Sequence, residues 1–326
     1  MDESNLIEKS YKMESLLLSI NAIAPIFVLM LIGYFIKSIK LLDKKVFDGI
    51  NTLVFKLLLP ALLFYNVYST DSIDNFNLKI FLFTIFSIVA VFIIGILLVI
   101  LISKDNSKRG VMLQGIFRSN FAILGIPLLE SIFDKNLTSL TYLMVAIIIP
   151  LFNVLAVLSF ELFNKESSSF NLLSLLKNII KNPLIIACAL GLLLFFSGIK
   201  LPLFLEKSVS QISSAATPLA LITLGAGFSF KSIKGSKKEI IAVSLLKLIF
   251  VPLLIISAAV LFGFKGEALG CLMVISGAPI AVSSFPMAKS MGGDEELAAS
   301  TIVITSALCI LTLFGWIYLL SSLGLF

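Results

Sequence analysis

The sequence predicts an all-α polytopic membrane protein: ten transmembrane helices in two inverted five-helix repeats, with broken, crossing helices in the fourth and ninth spans. Three observations carry this expectation. Of 326 residues, 59% are hydrophobic and 13% charged, with 28 Phe, no His and a mean hydropathy of +1.09, whereas soluble domains carry about 25% charged residues. Apolar runs of about 20 residues, enough to cross a bilayer, recur along the whole chain and leave no room for a separate soluble domain. The two halves also share an ordered series of Gly, Pro and Lys positions.

Broken at charge clusters, the apolar runs fall at 14–36, 46–68, 79–102, 110–133, 139–163, 172–197, 205–228, 238–263, 267–288 and 295–320. The first follows a polar stretch of mixed sign, Met1 to Lys12, with no small-residue cleavage site, so it reads as a retained span rather than a removed signal. The second and seventh are the weakest. The seventh is rich in Ser, Thr, Gly and Ala, but without it the connector after the sixth would be longer than compact proteins favour.

Connector charge sets the orientation. Lys37, Lys40, Lys44 and Lys45 follow the first run, Lys104, Lys108 and Arg109 the third, Lys165 the fifth, and Lys231, Lys234, Lys237 and Lys238 the seventh. The intervening connectors are near neutral, so the basic set belongs in the cytoplasm and both termini lie outside the cell membrane. The net charge of +6 is therefore the ordinary membrane pattern and not a nucleic-acid surface. Cys188, Cys271 and Cys309 sit singly inside apolar runs, as packing residues rather than a disulfide framework or a metal cluster.

A shift of 158 residues places Pro25 on Pro183, Gly33 on Gly191, Pro60 on Pro218 and Lys79 on Lys237, with Pro127 one residue short of Pro286. This divides the chain into an N-terminal repeat, 1–163, and a C-terminal repeat, 164–326, of five spans each. An odd number of spans inverts the second repeat in the membrane, the plan by which carriers obtain two related conformations.

Such carriers bind solutes near the midplane, where matched helices are interrupted and their backbone groups face a cavity. The fourth run carries Arg118, Asn120, Gly125 and Pro127; the ninth carries Gly277, Ala278, Pro279 and Pro286. These are the candidate substrate-binding residues, although a Pro inside a membrane helix also kinks it without any site. Arg118 lies well inside its run, where a guanidinium is costly unless it meets a cavity, a counterion or an anionic solute. Its fork of donors matches a carboxylate; the alternative is that it snorkels to the headgroups. Asn120 suits either a substrate oxygen or exposed backbone. Asn51, Pro60, Thr217 and Pro218 in the second and seventh runs are secondary candidates for the cavity wall, or simply permit close helix packing. Lys56 and Lys247 have stems that reach an interface, and Glu130 either carries a proton or lies at the outer surface.

The chain has no nucleotide-binding Gly-Lys-Ser or Gly-Lys-Thr loop, no metalloprotease helix and no nucleophile elbow, so no enzyme, cofactor or metal is expected. Energy would come from solute, proton or sodium gradients. Without a carboxylate cluster in the spans, a cation antiporter is disfavoured, while a sodium site of carbonyls stays open.

Several stretches together resemble the auxin efflux carrier family in its compact prokaryotic form: Ala24-Pro25-Ile26-Phe27 to Gly33; Asn51 to Pro60; Arg118 to Asn120 with Gly125 and Pro127; Thr217-Pro218-Leu219 to Gly225; and Gly277-Ala278-Pro279 to Pro286. The resemblance covers nearly the whole chain. It implies ten spans in inverted repeats, crossing breaks at Asn120, Pro127, Pro279 and Pro286, an elevator-like exchange and a homodimer. Plant relatives export the auxin anion and some bacterial relatives are described as malate or malonate permeases. The long hydrophilic loop of the plant pattern is missing. The expectation is thus a secondary carrier of small organic anions, plausibly dicarboxylates such as malate. The alternatives are a carrier of a monocarboxylate, an auxin-like weak acid or an amino acid, and, from another class, a membrane solute sensor that needs a partner.

Overall fold

The computed structural model describes residues 24–69, 77–121, 125, 128, 129, 132, 133, 139–163, 177, 180–229, 233 and 235–326, and their regular structure is entirely helical. The start of the first run, Pro127 and Glu130 lie outside the described residues. The helices are α1 (Ala24–Ser38), α2 (Lys44–Tyr68), α3 (Leu78–Ile102), α4 (Asn106–Phe117), α5 (Ser139–Leu162), α6 (Pro183–Ser197), α7 (Leu203–Ser214), α8 (Ala216–Gly227), α9 (Lys237–Leu261), α10 (Gly266–Gly277), α11 (Ser284–Ser290) and α12 (Glu295–Ser322). Among the described residues, five segments are long and apolar enough to cross a membrane: α2, α3, α9, α12 and the pair α7–α8, Leu203–Gly227. The protein is an all-α, multi-pass membrane protein.

Local chemistry explains the ends. Asn77 caps α3, its side-chain oxygen accepting from Lys79 N at 3.1 Å. The 25 residues of α3 span about 37 Å, and its outward face leaves Phe86, Leu97 and Leu101 at 69%, 63% and 80% exposure. Such a stripe suits hydrocarbon and not water. Asn182 caps α6 in the same way, Pro183 takes the first helical position, and Gly198 ends it in the left-handed region at φ 67°. Pro218 and Pro286 are each the third residue of their helix, where the missing N–H is one of the unbonded donors in any case. Consequently, the seventh run is not one uniform helix but two, joined at Ala215.

Two helices are widened by proline. In α2 the turn opens over Val54–Leu58, where Leu59 N–H reaches back five residues to Val54 O; in α9 it opens over Leu246–Phe250, with Val251 N–H on Leu246 O. Pro60 and Pro252 follow immediately and have no N–H for the carbonyls four residues earlier. The indole of Trp316 on α12 donates to one of these freed carbonyls, Leu248 O, at 3.3 Å.

Two sets of contacts tie helices together across the chain. Lys79, at the start of α3, donates to Phe262 O beyond the end of α9 at 2.8 Å, and Lys238, at the start of α9, donates to Ile102 O at the end of α3 at 3.1 Å. Each lysine thereby supplies a cation to the carbonyl end of the other helix. Helix α1 crosses α8 with backbones touching: a Cβ on Gly33 would stand 2.0 Å from Ile222 O, and one on Gly225 1.9 Å from Met30 O. Gly191 of α6 meets the backbone of α2 likewise, at 3.0 Å from Phe64 O.

Helices α4 and α10 are both 12 residues long and both stop abruptly in extended backbone, at Arg118 (φ −78°, ψ 134°) and Ala278 (φ −65°, ψ 152°). Beyond α4, 118–120 are non-helical; beyond α10, 278–283 lead into the seven residues of α11. The two breaks touch directly, Asn120 N donating to Pro279 O at 2.8 Å. Behind them runs α12, whose Thr305 hydroxyl accepts from Ile280 N at 3.4 Å. At the far end of α11, Lys289 pairs with Asp48 of α2 at 2.6 Å and with Glu295 of α12 at 2.9 Å.

Candidate functional site

The breaks give the site its polar groups because a chain that leaves the helix exposes backbone and turns side chains off the helical face. A cavity of about 200 Å³ lies against them. It is lined by the second half of α2 (Leu59, Leu62, Leu63, Asn66), by Thr217 and Ala220 of α8, by Arg118 to Phe121 and Ala281 to Ser283 at the breaks, and by Ile149, Phe152 and Asn153 of α5.

Arg118 is 3% exposed and is held on several sides. Its Nη1 donates to Gln114 Oε1 at 2.9 Å and abuts Met287 Sδ; its Nη2 donates to Asn153 Oδ1 at 2.8 Å and Ser283 Oγ at 2.7 Å. All these acceptors are neutral. No carboxylate among the described residues stands within ion-pair distance of the guanidinium. A buried charge whose hydrogen bonds are met but whose charge is not balanced is costly, and an anion in the adjoining cavity would balance it. Arg118 does not snorkel.

Two further polar groups of the cavity wall have no partner: Ser119 Oγ and Asn120 Nδ2 are buried and make no hydrogen bond. Unmet donors of this kind are expensive unless water or a solute completes them. A fixed cation, an amide donor and a hydroxyl thus converge on one space, walled largely by Leu, Ile and Phe. This arrangement is suited to holding a small anion and has no nucleophile–base pair, and no metal-ligand cluster occurs among the described residues.

The remaining sequence candidates distribute around this space. Arg118, Asn120 and Thr217 line it. Pro279 contributes its carbonyl to Asn120, while Gly277 and Ala278 form the end of α10 behind it. Gly125 packs on the ring of Phe121, and Pro286 is buried within α11. Asn51 donates to Ser290 Oγ at 3.4 Å, away from the cavity. Pro60 and Pro218 sit in the helices that wall the cavity but are not part of its lining. Lys56 is exposed, whereas Lys247 is fully buried and reaches no surface, contrary to the expectation from its stem. Asn153 escaped the sequence reading. Its signal was an amide amid Leu151, Phe152, Val154 and Leu155, which hydropathy alone averages away.

Comparison with known proteins agrees with this architecture. The model of a family described as membrane transport protein matches residues 18–317. An uncharacterized transporter of Methanocaldococcus jannaschii is 28% identical over 93% of this chain and all of its own length. A putative malonate transporter of Rhizobium meliloti is 24% identical over 92% of this chain and 95% of its own, and an uncharacterized transporter of Escherichia coli K12 is 24% identical over 92% and 96%. The family match covers nearly the whole chain, the broken helices with their cavity included. The chain belongs to the membrane transport protein family, the auxin-efflux-carrier-like permeases that its sequence resembles.

Proposed function

We propose that this protein is a secondary carrier of small organic anions, which bind in the cavity with a carboxylate against Arg118. The observation that carries this reading is the buried guanidinium with only neutral partners, beside the unpartnered Ser119 Oγ and Asn120 Nδ2. The volume of about 200 Å³ equals roughly seven waters at ~30 Å³ each, the scale of a small carboxylic acid. The name of the Rhizobium meliloti relative supports a dicarboxylate. The lining itself contains one charged side chain, Arg118, and mainly apolar walls, which favours one carboxylate and an apolar body over two carboxylates. A monocarboxylate is therefore the second reading.

The same cavity supports alternating access. Its lining is drawn from α2, α5 and α8 together with both breaks. The backbone-to-backbone seating of α1 on α8 and of α6 on α2 supports a rigid frame past which the breaks move, as in the elevator form. An inverted duplication is supported by three pairs of features. Gly33 on Ile222 and Gly191 on Phe64 are the same contact displaced by 158 residues in opposite senses. The lysine caps of α3 and α9 are reciprocal, and the interrupted helices α4 and α10 have equal length.

Purified protein in liposomes tests the reading. Saturable uptake of radiolabelled malonate, or of a monocarboxylate that malonate does not displace, is expected, with a proton or sodium gradient imposed in turn. No saturable uptake of either class under any gradient would sink it. Asn120→Ala removes one unmet donor, worth about 1–2 kcal/mol toward a carboxylate, and is expected to raise the KM about five- to thirtyfold. An unchanged KM would remove Asn120 from the binding set.

A further inference from the structure

Lys247 is fully buried on α9, and its ammonium donates to Ser276 O at 2.9 Å. Ser276 is the last residue but one of α10, so the carbonyl it satisfies belongs to the unbonded C-terminal end of the interrupted helix. The widened turn Leu246–Phe250 holds Lys247; an extra residue in a turn rotates the helical faces before and after it, which is why such turns re-aim side chains. The other widened turn, in α2, leaves Lys56 outward, so the widening alone does not bury a lysine.

From Lys247 the contacts lead to the cavity without lining it. The ammonium fixes Ser276 O; Ala278 N bonds Val274 O at 2.9 Å and ends the helix; Pro279 O, next in the chain, accepts from Asn120 N at 2.8 Å; and Ser119 and Asn120 carry the cavity's unmet groups. A neutral donor would satisfy one carbonyl with a smaller desolvation cost than an ammonium. The charge itself adds something more, because a helix end carries about half a negative charge, and a cation there offsets it in a medium without water.

We propose that Lys247 is a positioning residue of the transport site, a tethered cation that holds the carbonyl end of α10 and thereby sets the break where Pro279 meets Asn120. The inference rests on the reading of the cavity as the solute site. It also accounts for a buried lysine that neither reaches solvent nor touches the cavity.

The test uses full-length protein carrying Lys247→Met or Lys247→Gln, the latter keeping a donor without the charge. Two measurements are made: hydrogen–deuterium exchange by mass spectrometry in detergent, and uptake kinetics of radiolabelled malonate, or of the monocarboxylate carried, in liposomes. In K247M, exchange in peptides covering 274–285 and 115–121 is expected to rise about tenfold while peptides of α3 and α6 stay unchanged. The KM is expected to rise about tenfold with maximal rate within about twofold of wild type, and K247Q to fall between. Because Lys247→Met leaves the buried Ser276 O without its donor, a fall of a few degrees in melting temperature is expected as well, smaller in Lys247→Gln. Wild-type exchange at the break would overturn the proposal, and so would faster exchange with an unchanged KM, which makes Lys247 a structural residue only. If K247M does not fold, K247Q carries the same readouts. If the wild type itself transports no anion, the carrier reading fails, whereas the exchange data still decide whether Lys247 holds the break.

Discussion

Arg118→Ala is expected to abolish saturable anion uptake at ordinary substrate concentrations while leaving the purified protein monodisperse. Truncating one side of a buried, hydrogen-bonded charge pair costs about 2–5 kcal/mol, which at ~1.4 kcal/mol per decade lowers affinity about 30- to 4,000-fold. The fold should survive. The guanidinium's present partners, Gln114, Asn153 and Ser283, are neutral, so the substitution leaves no charge stranded, and the cavity gives water access to two of the acceptors it frees, those of Asn153 and Ser283. Arg118→Lys keeps the charge but loses the fork, and is expected to bind with intermediate affinity. Affinity measured by competition against a labelled anion decides the matter: wild-type affinity in folded Arg118→Ala would end the substrate role of this side chain.

Gly225→Ala is expected to be the most damaging small substitution in the molecule. Its Cβ would fall 1.9 Å from Met30 O, and that of Gly33→Ala 2.0 Å from Ile222 O. Both obstacles are backbone atoms of the facing helix, which cannot swing aside as a side chain does, so α1 and α8 must separate along their crossing. Overpacking in a core generally costs about 1–3 kcal/mol; a clash between two backbones belongs above that range, with loss of monodisperse protein on size exclusion and a melting temperature lowered by several degrees or more. Gly49→Ala, where nothing stands within 4 Å of the added atom, is the matched control. Equal behaviour of G225A and G49A would mean that α1 and α8 do not cross in contact.

How much of this was legible in the sequence depended on whether a signal was local. The five segments of membrane-crossing length among the described residues were legible because apolar length is a property of the run itself, and the breaks were legible because Gly, Pro and polar residues interrupt the apolar stretches at Arg118–Pro127 and Ser276–Pro286. Where the chain leaves the helix was less so. It departs at Arg118 and Ala278, ahead of Pro286, which the first turn of α11 accommodates. The widened turns at Val54–Leu58 and Leu246–Phe250 were not foreseen. Proline removes one donor, but whether the helix kinks or opens depends on what receives the freed carbonyl, and that partner can lie on a distant helix, as Trp316 does. Lys247 illustrates the same limit. Its stem is long enough to snorkel, yet the helix face it occupies points at α10, and a face is set by tertiary packing. Asn153 was hidden for a related reason, since a single amide in an apolar run gains significance only from its neighbour across the helix interface, here Arg118.

The contact of Trp316 with Leu248 O has a spectroscopic consequence. Trp316 is the one tryptophan of the chain, so its emission is free of overlap from any other indole. The ring bonds the widened turn of α9 through Nε1, and its Cδ1 lies 3.8 Å from the Cβ position of Gly277, at the end of α10. Indole emission shifts with the polarity and hydrogen bonding of its surroundings, and a ring wedged between a freed carbonyl and a broken helix senses both. The native protein therefore carries its own optical probe of the break, with which the proposed solute binding and conformational exchange can be tested in real time without attaching a label.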